Sequence, residues 1–182
     1  VTPSATQAYR VQATTLAGCV AEDTVTVTVR SVTTPVVSGV RAVCGGSSNS
    51  TFTAAPALPS FTWSATSPHT ISSGGVLTAA NVAAPTAITV TYSGQDANGC
   101  SLQDTHQMVI NNKPTVSLAA PAPMCAGGTA SLSGLPAGGT FIPAAGTVSG
   151  TTYTAPASAG TYWIRYAYVD ANSCTDTVSQ PV

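Results

Sequence analysis

Five cysteines, two histidines and six carboxylates are the groups in this 182-residue sequence best suited to covalent or metal chemistry. The thiols stand at Cys19, Cys44, Cys100, Cys125 and Cys174. Zinc sites gather closely spaced Cys and His ligands. Here no CxxC pair occurs, and His69 and His106 lie near none of the cysteines. No metal site is therefore expected. Nucleophilic catalysis needs a nucleophile, a base and an orienting group, and no G-x-S-x-G or recognisable triad is present. No carboxylate pair is identifiable as acid and base. The expectation is a non-enzyme with no catalytic residues and no cofactor. Asp96/Asn98 and Asp170/Asn172 offer oxygens to calcium, which needs six to eight. The favoured role for these residues is turn-building, with each side chain bonding its own backbone.

The elements that carry these residues repeat. Thr15-Leu16-Ala17-Gly18-Cys19, Asp96-Ala97-Asn98-Gly99-Cys100 and Asp170-Ala171-Asn172-Ser173-Cys174 are three versions of one segment, each followed by an acid (Glu22/Asp23, Asp104, Asp176). Pro35-Val36-Val37-Ser38 leads to Cys44-Gly45-Gly46-Ser47, as Pro114-Thr115-Val116-Ser117 leads to Cys125-Ala126-Gly127-Gly128. Such internal periodicity marks repeat architecture. It divides the chain into 33–112 and 113–182 as two units, with 1–32 as the C-terminal part of a preceding one.

Within each unit the apolar period is two. Tyr9, Val11 and Ala13 alternate with polar residues, as do Val25, Val27 and Val29. Ile88, Val90 and Tyr92 repeat the pattern, and Tyr162, Ile164, Tyr166 and Tyr168 alternate with Trp163, Arg165, Ala167 and Val169. Each run predicts a strand with one face on a core. Asn98-Gly99 predicts a hairpin. Shorter strands are expected at 51–53, 61–63, 75–77, 130–132, 140–142 and 152–154, punctuated by Pro, Gly and Ser. About seven short strands in 70–80 residues describe an immunoglobulin-like sandwich. The fold class expected is all-β: tandem, disulfide-stapled β-sandwich domains.

Evenly spaced cysteines in small domains suggest disulfides and an oxidising compartment. Two pairings fit the spacing. One lies within units, Cys44–Cys100 and Cys125–Cys174, with Cys19 bound to an upstream cysteine. The other crosses units, Cys19–Cys44 and Cys100–Cys125. The intra-unit scheme is favoured, because in-line strands keep residues 19 and 44 too far apart for a bridge. Closing a loop of about fifty residues stabilises by about 4 kcal/mol in the chain-entropy account.

Only 6% of residues are charged and the net charge is -1, against roughly 25% charged in an ordinary soluble domain. No basic patch exists to attract nucleic acid or an anionic membrane. No apolar run approaches the ~18 residues of a membrane span. Nucleic-acid binding and direct membrane insertion are therefore not expected. Val1 begins in mid-pattern, so any export signal is expected outside this sequence.

The opening PTVS, the VCAGGT-like segment, GGTF, AGTYWIRYAYVDANSC and the closing TVTVTV resemble the PKD-like and Ig-like repeats of very large Bacteroidota surface adhesins, including gliding adhesins. Residues 113–182 match best. Leu16-Ala17 and Ser173 depart from the pattern in their turns. The resemblance implies export by type IX secretion and an extracellular or outer-surface location. It implies a structural or adhesive shaft whose partners are neighbouring repeats and other copies in a filament. Asp23-Thr24-Val25 and Asp176-Thr177-Val178 are similar to the short O-glycosylation motif of that phylum, making Thr24 and Thr177 candidate glycan sites. Trp63 and Phe141 are expected in cores. Trp163 and Arg165 fall opposite Ile164 and are candidates for a surface contact, with a glycan or another surface as ligand. The competing classes are a carbohydrate-binding module and the non-catalytic stalk of a secreted enzyme.

Overall fold

The computed structural model describes residues 2–182. Nineteen strands and no helix are found among them, so the chain is all-β. The strands are β1 (Gln7–Thr14), β2 (Val20–Val27), β3 (Val36–Ser38), β4 (Ala42–Cys44), β5 (Ser50–Thr51), β6 (Thr53–Ala55), β7 (Ser60–Ala65), β8 (Thr70–Ile71), β9 (Val76–Thr78), β10 (Thr86–Gln95) and β11 (Ser101–Asn111). They continue as β12 (Ser117–Leu118), β13 (Thr129–Ser131), β14 (Gly134–Leu135), β15 (Thr140–Pro143), β16 (Thr147–Ser149), β17 (Thr152–Thr154), β18 (Trp163–Val169) and β19 (Thr175–Pro181).

One pairing plan occurs twice. β3 pairs with β6, β9 lies between β5 and β8, and β10 lies between β7 and β11. Likewise β12 pairs with β14, β17 lies between β13 and β16, and β18 lies between β15 and β19. The first set adds β4, which runs parallel to the end of β11 with Val109 opposite Ala42 and Asn111 opposite Cys44.

Two hydrophobic clusters follow from the period-two runs. Ile88, Val90 and Tyr92 point into the first with Phe52, Leu77, Met108 and Ile110. Ile164 and Tyr166 point into the second with Leu118, Leu132 and Tyr153. Each core aromatic stacks on its strand neighbour, Trp63 on Tyr92 at 4.7 Å and Phe141 on Tyr166 at 4.8 Å between ring centroids. Trp63 and Phe141 hold equivalent register positions, opposite Tyr92 and Tyr166. Both tyrosine hydroxyls tie down the loop that enters the adjacent strand. Tyr92 accepts the Leu58 N–H at 2.9 Å, while Tyr166 accepts the Gly139 N–H at 2.8 Å and donates to the Pro136 carbonyl. A buried hydroxyl without such a partner would cost free energy. At Gly94 a Cβ would lie 2.0 Å from the Ser60 carbonyl oxygen, so only glycine lets β7 approach β10 there.

The β1–β2 hairpin has the strands expected, but its apolar face is open. Counted from the turn, Val11 of β1 matches Tyr92 of β10, and Val27 of β2 matches Met108 of β11. Tyr92 is 2% exposed and Val11 64%. The opposite face carries the Arg10–Glu22 ion pair and the Gln12–Glu22 hydrogen bond.

Candidate functional site

The turns before β2, β11 and β19 are one structure built three times. In each the first residue's N–H bonds the cysteine carbonyl: Thr15 to Cys19, Asp96 to Cys100 and Asp170 to Cys174, at 2.9–3.0 Å. In each the first residue's side-chain oxygen accepts the cysteine N–H, from Thr15 Oγ1 at 3.1 Å, Asp96 Oδ1 at 2.9 Å and Asp170 Oδ1 at 2.8 Å. The residue before the cysteine takes positive φ, at Gly18, Gly99 and Ser173. Serine replaces glycine at the last, with φ 63°, within the small left-handed region open to L-residues. The carboxyls of Asp96 and Asp170 also accept the N–H of Asn98 and Asn172. The Cys100 N–H holds the Asp96 carboxyl below its ordinary value of 3.8, with Asn98 and Arg30 adding to the effect against some burial.

Cys44 and Cys125 share a second turn. Ser47 and Gly128 donate N–H groups to the Cys44 and Cys125 carbonyls at 3.2 and 2.8 Å. Gly46 and Gly127 have positive φ and bond the Ala79 and Pro156 carbonyls.

The disulfide joins the two kinds of turn across the two cores. Cys44 is bonded to Cys174, with Cα atoms 5.5 Å apart and 130 residues of sequence between them. Cys19, Cys100 and Cys125 are free thiols. The expected Cys44–Cys100 and Cys125–Cys174 bridges are therefore corrected. Cys44 lies beside Asn111, at the end of β11, whereas Cys100 precedes its first residue, Ser101. Eleven residues of strand separate them by about 35 Å, far beyond a bridge's reach. Cys125 is likewise near Val182, beyond the end of β19, while Cys174 precedes its start. The parallel β4 strand carries Cys44 to the far end of its sheet, where the next turn arrives.

Asp23, Asp104 and both histidines bond backbone groups. Asp104 accepts the Val37 N–H at 2.7 Å and so fastens β3 to β11. Its strand lies inside the four-stranded sheet, between β4 and β10. Asp176 lies on an edge strand. Asp23 bonds the Thr24 N–H. His69, buried, accepts the Ala80 N–H on Nδ1 at 3.0 Å, and His106 Nε2 lies 3.2 Å from the Val40 carbonyl. Among the described residues no group of three or more His, Cys, Asp or Glu is arranged to hold a metal.

Trp163 and Arg165 are exposed on β18, on the face away from Ile164 and Tyr166. Thr24 and Thr177 are exposed on β2 and β19. The structure does not bring these two pairs together with the cysteine turns into one cleft. The feature that sequence reasoning missed is the junction itself. Its signal was present, since the two cysteine-bearing turns recur in alternation along the chain.

A formed disulfide points to an oxidising, non-cytoplasmic location, and no helix among the described residues is long and apolar enough to cross a membrane. Comparison with known proteins finds no matching family model and no matching curated protein.

Proposed function

We propose that this chain is a shaft segment of an extracellular surface adhesin or filament, built from tandem immunoglobulin-like units at 33–112 and 113–182 with 1–32 as the C-terminal part of a preceding one, and with a mechanical and spacing role. The observation that carries this reading is the Cys44–Cys174 bridge. It joins the far end of the first sheet system to the turn end of the second. Together with the short segment from Asn112 to Val116, it makes a two-point connection, and a two-point connection resists bending where a single linker does not. Repeats that contact only their neighbours form such quasi-linear arrays. The open apolar face of β1–β2 supports the same reading, since its positions are those that each complete core covers. In this reading the protein is not an enzyme, its partners are adjacent repeats and other copies in a filament, and it lies on the outer surface of a bacterial cell. The resemblance to Bacteroidota gliding adhesins adds type IX export and glycans at Thr24 and Thr177.

Small-angle scattering of the oxidised chain tests the shape. A compact globule of this length has a radius of gyration of about 16 Å. A clearly larger value with an elongated distance distribution is expected, and a value near 16 Å overturns the shaft.

One observation favours a second reading. Trp163 is 54% exposed beside exposed Arg165, and an exposed indole near a guanidinium is suited to stacking on a sugar or docking on a surface. A silent glycan array together with unchanged adhesion of Trp163→Ala would remove that module reading.

A further inference from the structure

The geometry points to a disulfide ladder along the array, in which every junction is clipped like the one at Cys44–Cys174, and Cys19, Cys100 and Cys125 are the open halves of further clips. This inference rests on the shaft reading. It adds a covalent role and a partner class to cysteines that are free in the chain by itself.

The argument is one of superposable parts. The clip has two halves: a Gly-Gly or Ala-Gly turn after a cysteine at the far end of one unit, and a hairpin turn before a cysteine at the near end of the next. Cys125 occupies the first kind of turn, with the backbone bonds already described for Cys44. Cys19 and Cys100 occupy the second kind, with the bonds described for Cys174.

The junction above Cys100 is already half assembled. Arg30 follows Cys19 by the same number of residues as Asn111 follows Cys100, so Arg30 marks the far end of the first hairpin as Asn111 marks that of β11. Arg30 donates from Nη1 to Asn98 Oδ1 at 2.8 Å. The turn carrying Cys100 is therefore hydrogen-bonded to the segment that follows β2. In the complete junction, Cys44 lies beside Asn111 and reaches Cys174. A β4-like strand beside residues 28–30 would bring its cysteine to Cys100 in the same way.

At the other end of the chain, a recess of about 150 Å³ opens beside exposed Cys125, lined by Met124, Tyr153, Tyr162 and Val182. The occupant assigned to it is the hairpin turn of another repeat of this design, carrying a cysteine equivalent to Cys174. Cys19 takes a cysteine equivalent to Cys44 from the repeat before its own.

Each clip forms by oxidation of two thiols. They lose two protons and two electrons to the disulfide of a thiol–disulfide oxidant, which leaves as a dithiol, and one S–S bond joins the repeats.

The test is peptide mapping of the native full-length protein, alkylated without reduction. Cys44 linked to Cys174 is expected, with Cys19, Cys100 and Cys125 each linked to a cysteine outside residues 1–182. Recovery of Cys100 or Cys125 as an alkylated thiol overturns the ladder, as does Cys44–Cys100 or Cys125–Cys174. Electron microscopy of the same material separates the two hypotheses. Rods whose thiols are free leave the shaft reading standing and remove the ladder, whereas isolated globules remove the shaft.

Discussion

Replacing Cys44 by serine removes the bridge while leaving both cores their apolar residues. The magnitude follows from where Cys44 is held. Its pairing with Asn111 keeps it at the end of β11 for as long as the first core is folded. Relative to that anchor, the bond to Cys174 closes a loop that begins after Asn111 and ends at Cys174, about sixty residues long. Restricting such a loop in the unfolded second core is worth about 4 kcal/mol on chain-entropy grounds. The stability of the second core is therefore expected to fall by about that amount. With a urea m-value of about 1–3 kcal/mol per molar, the midpoint should drop by more than about 1 M. Urea titration by circular dichroism gives the overall transition, and hydrogen exchange of the β18 amides reports the second core directly. Wild type reduced with a small thiol should match Cys44→Ser. If the β18 amides of the oxidised wild type and the variant open with free energies within about 1 kcal/mol of each other, the loop argument is wrong.

Tyr166→Phe strands the Gly139 N–H and the Pro136 carbonyl, with an expected loss of about 1–3 kcal/mol in urea unfolding. A loss below 0.5 kcal/mol, on the order of an ordinary surface change, would show that water replaces the hydroxyl. Asp104→Ala removes the acceptor for the Val37 N–H. A cost of about 1.5–3 kcal/mol is expected, with faster exchange at the Val37 amide, and unchanged exchange there would refute the fastening role. Asp96 has a lowered pKa in the folded chain, so its contribution to stability is present above the unfolded value of 3.8 and lost as pH falls through the folded one. Carbon NMR titration of its carboxyl should give a midpoint below 3.8, and Asp96→Asn should abolish that acid-dependent loosening of the turn; a midpoint at or above 3.8 contradicts the turn geometry.

What could be read from the sequence was local. Alternation at 88–92 and 162–168 set the buried faces, because successive strand side chains point to opposite sides. Asp-Ala-Asn-Gly-Cys and Asp-Ala-Asn-Ser-Cys specified turns whose bonds all lie within five residues. Trp63 and Phe141 were legible as core aromatics from their place in short apolar runs. The short strands β4, β8, β14 and β16 were not legible, because two or three residues are too few to show a period. The role of Asp104 was hidden as well, since its partner, Val37, is 67 residues away.

The cysteine partners were beyond reach for the same reason in stronger form. Sequence spacing showed that two kinds of cysteine turn alternate, and so that a regular pairing was available. Which pairs meet depends on the end of the sheet that each turn occupies. That was decided by three residues of parallel pairing between β4 and β11, and parallel pairing lacks the tight turn that announces a hairpin. Once Cys44 is carried along β11 to Asn111, a strand's length separates it from Cys100, and the turn holding Cys174 is the one that reaches it. The turns and faces were therefore determined residue by residue, and the covalent joint between the cores by long-range register alone.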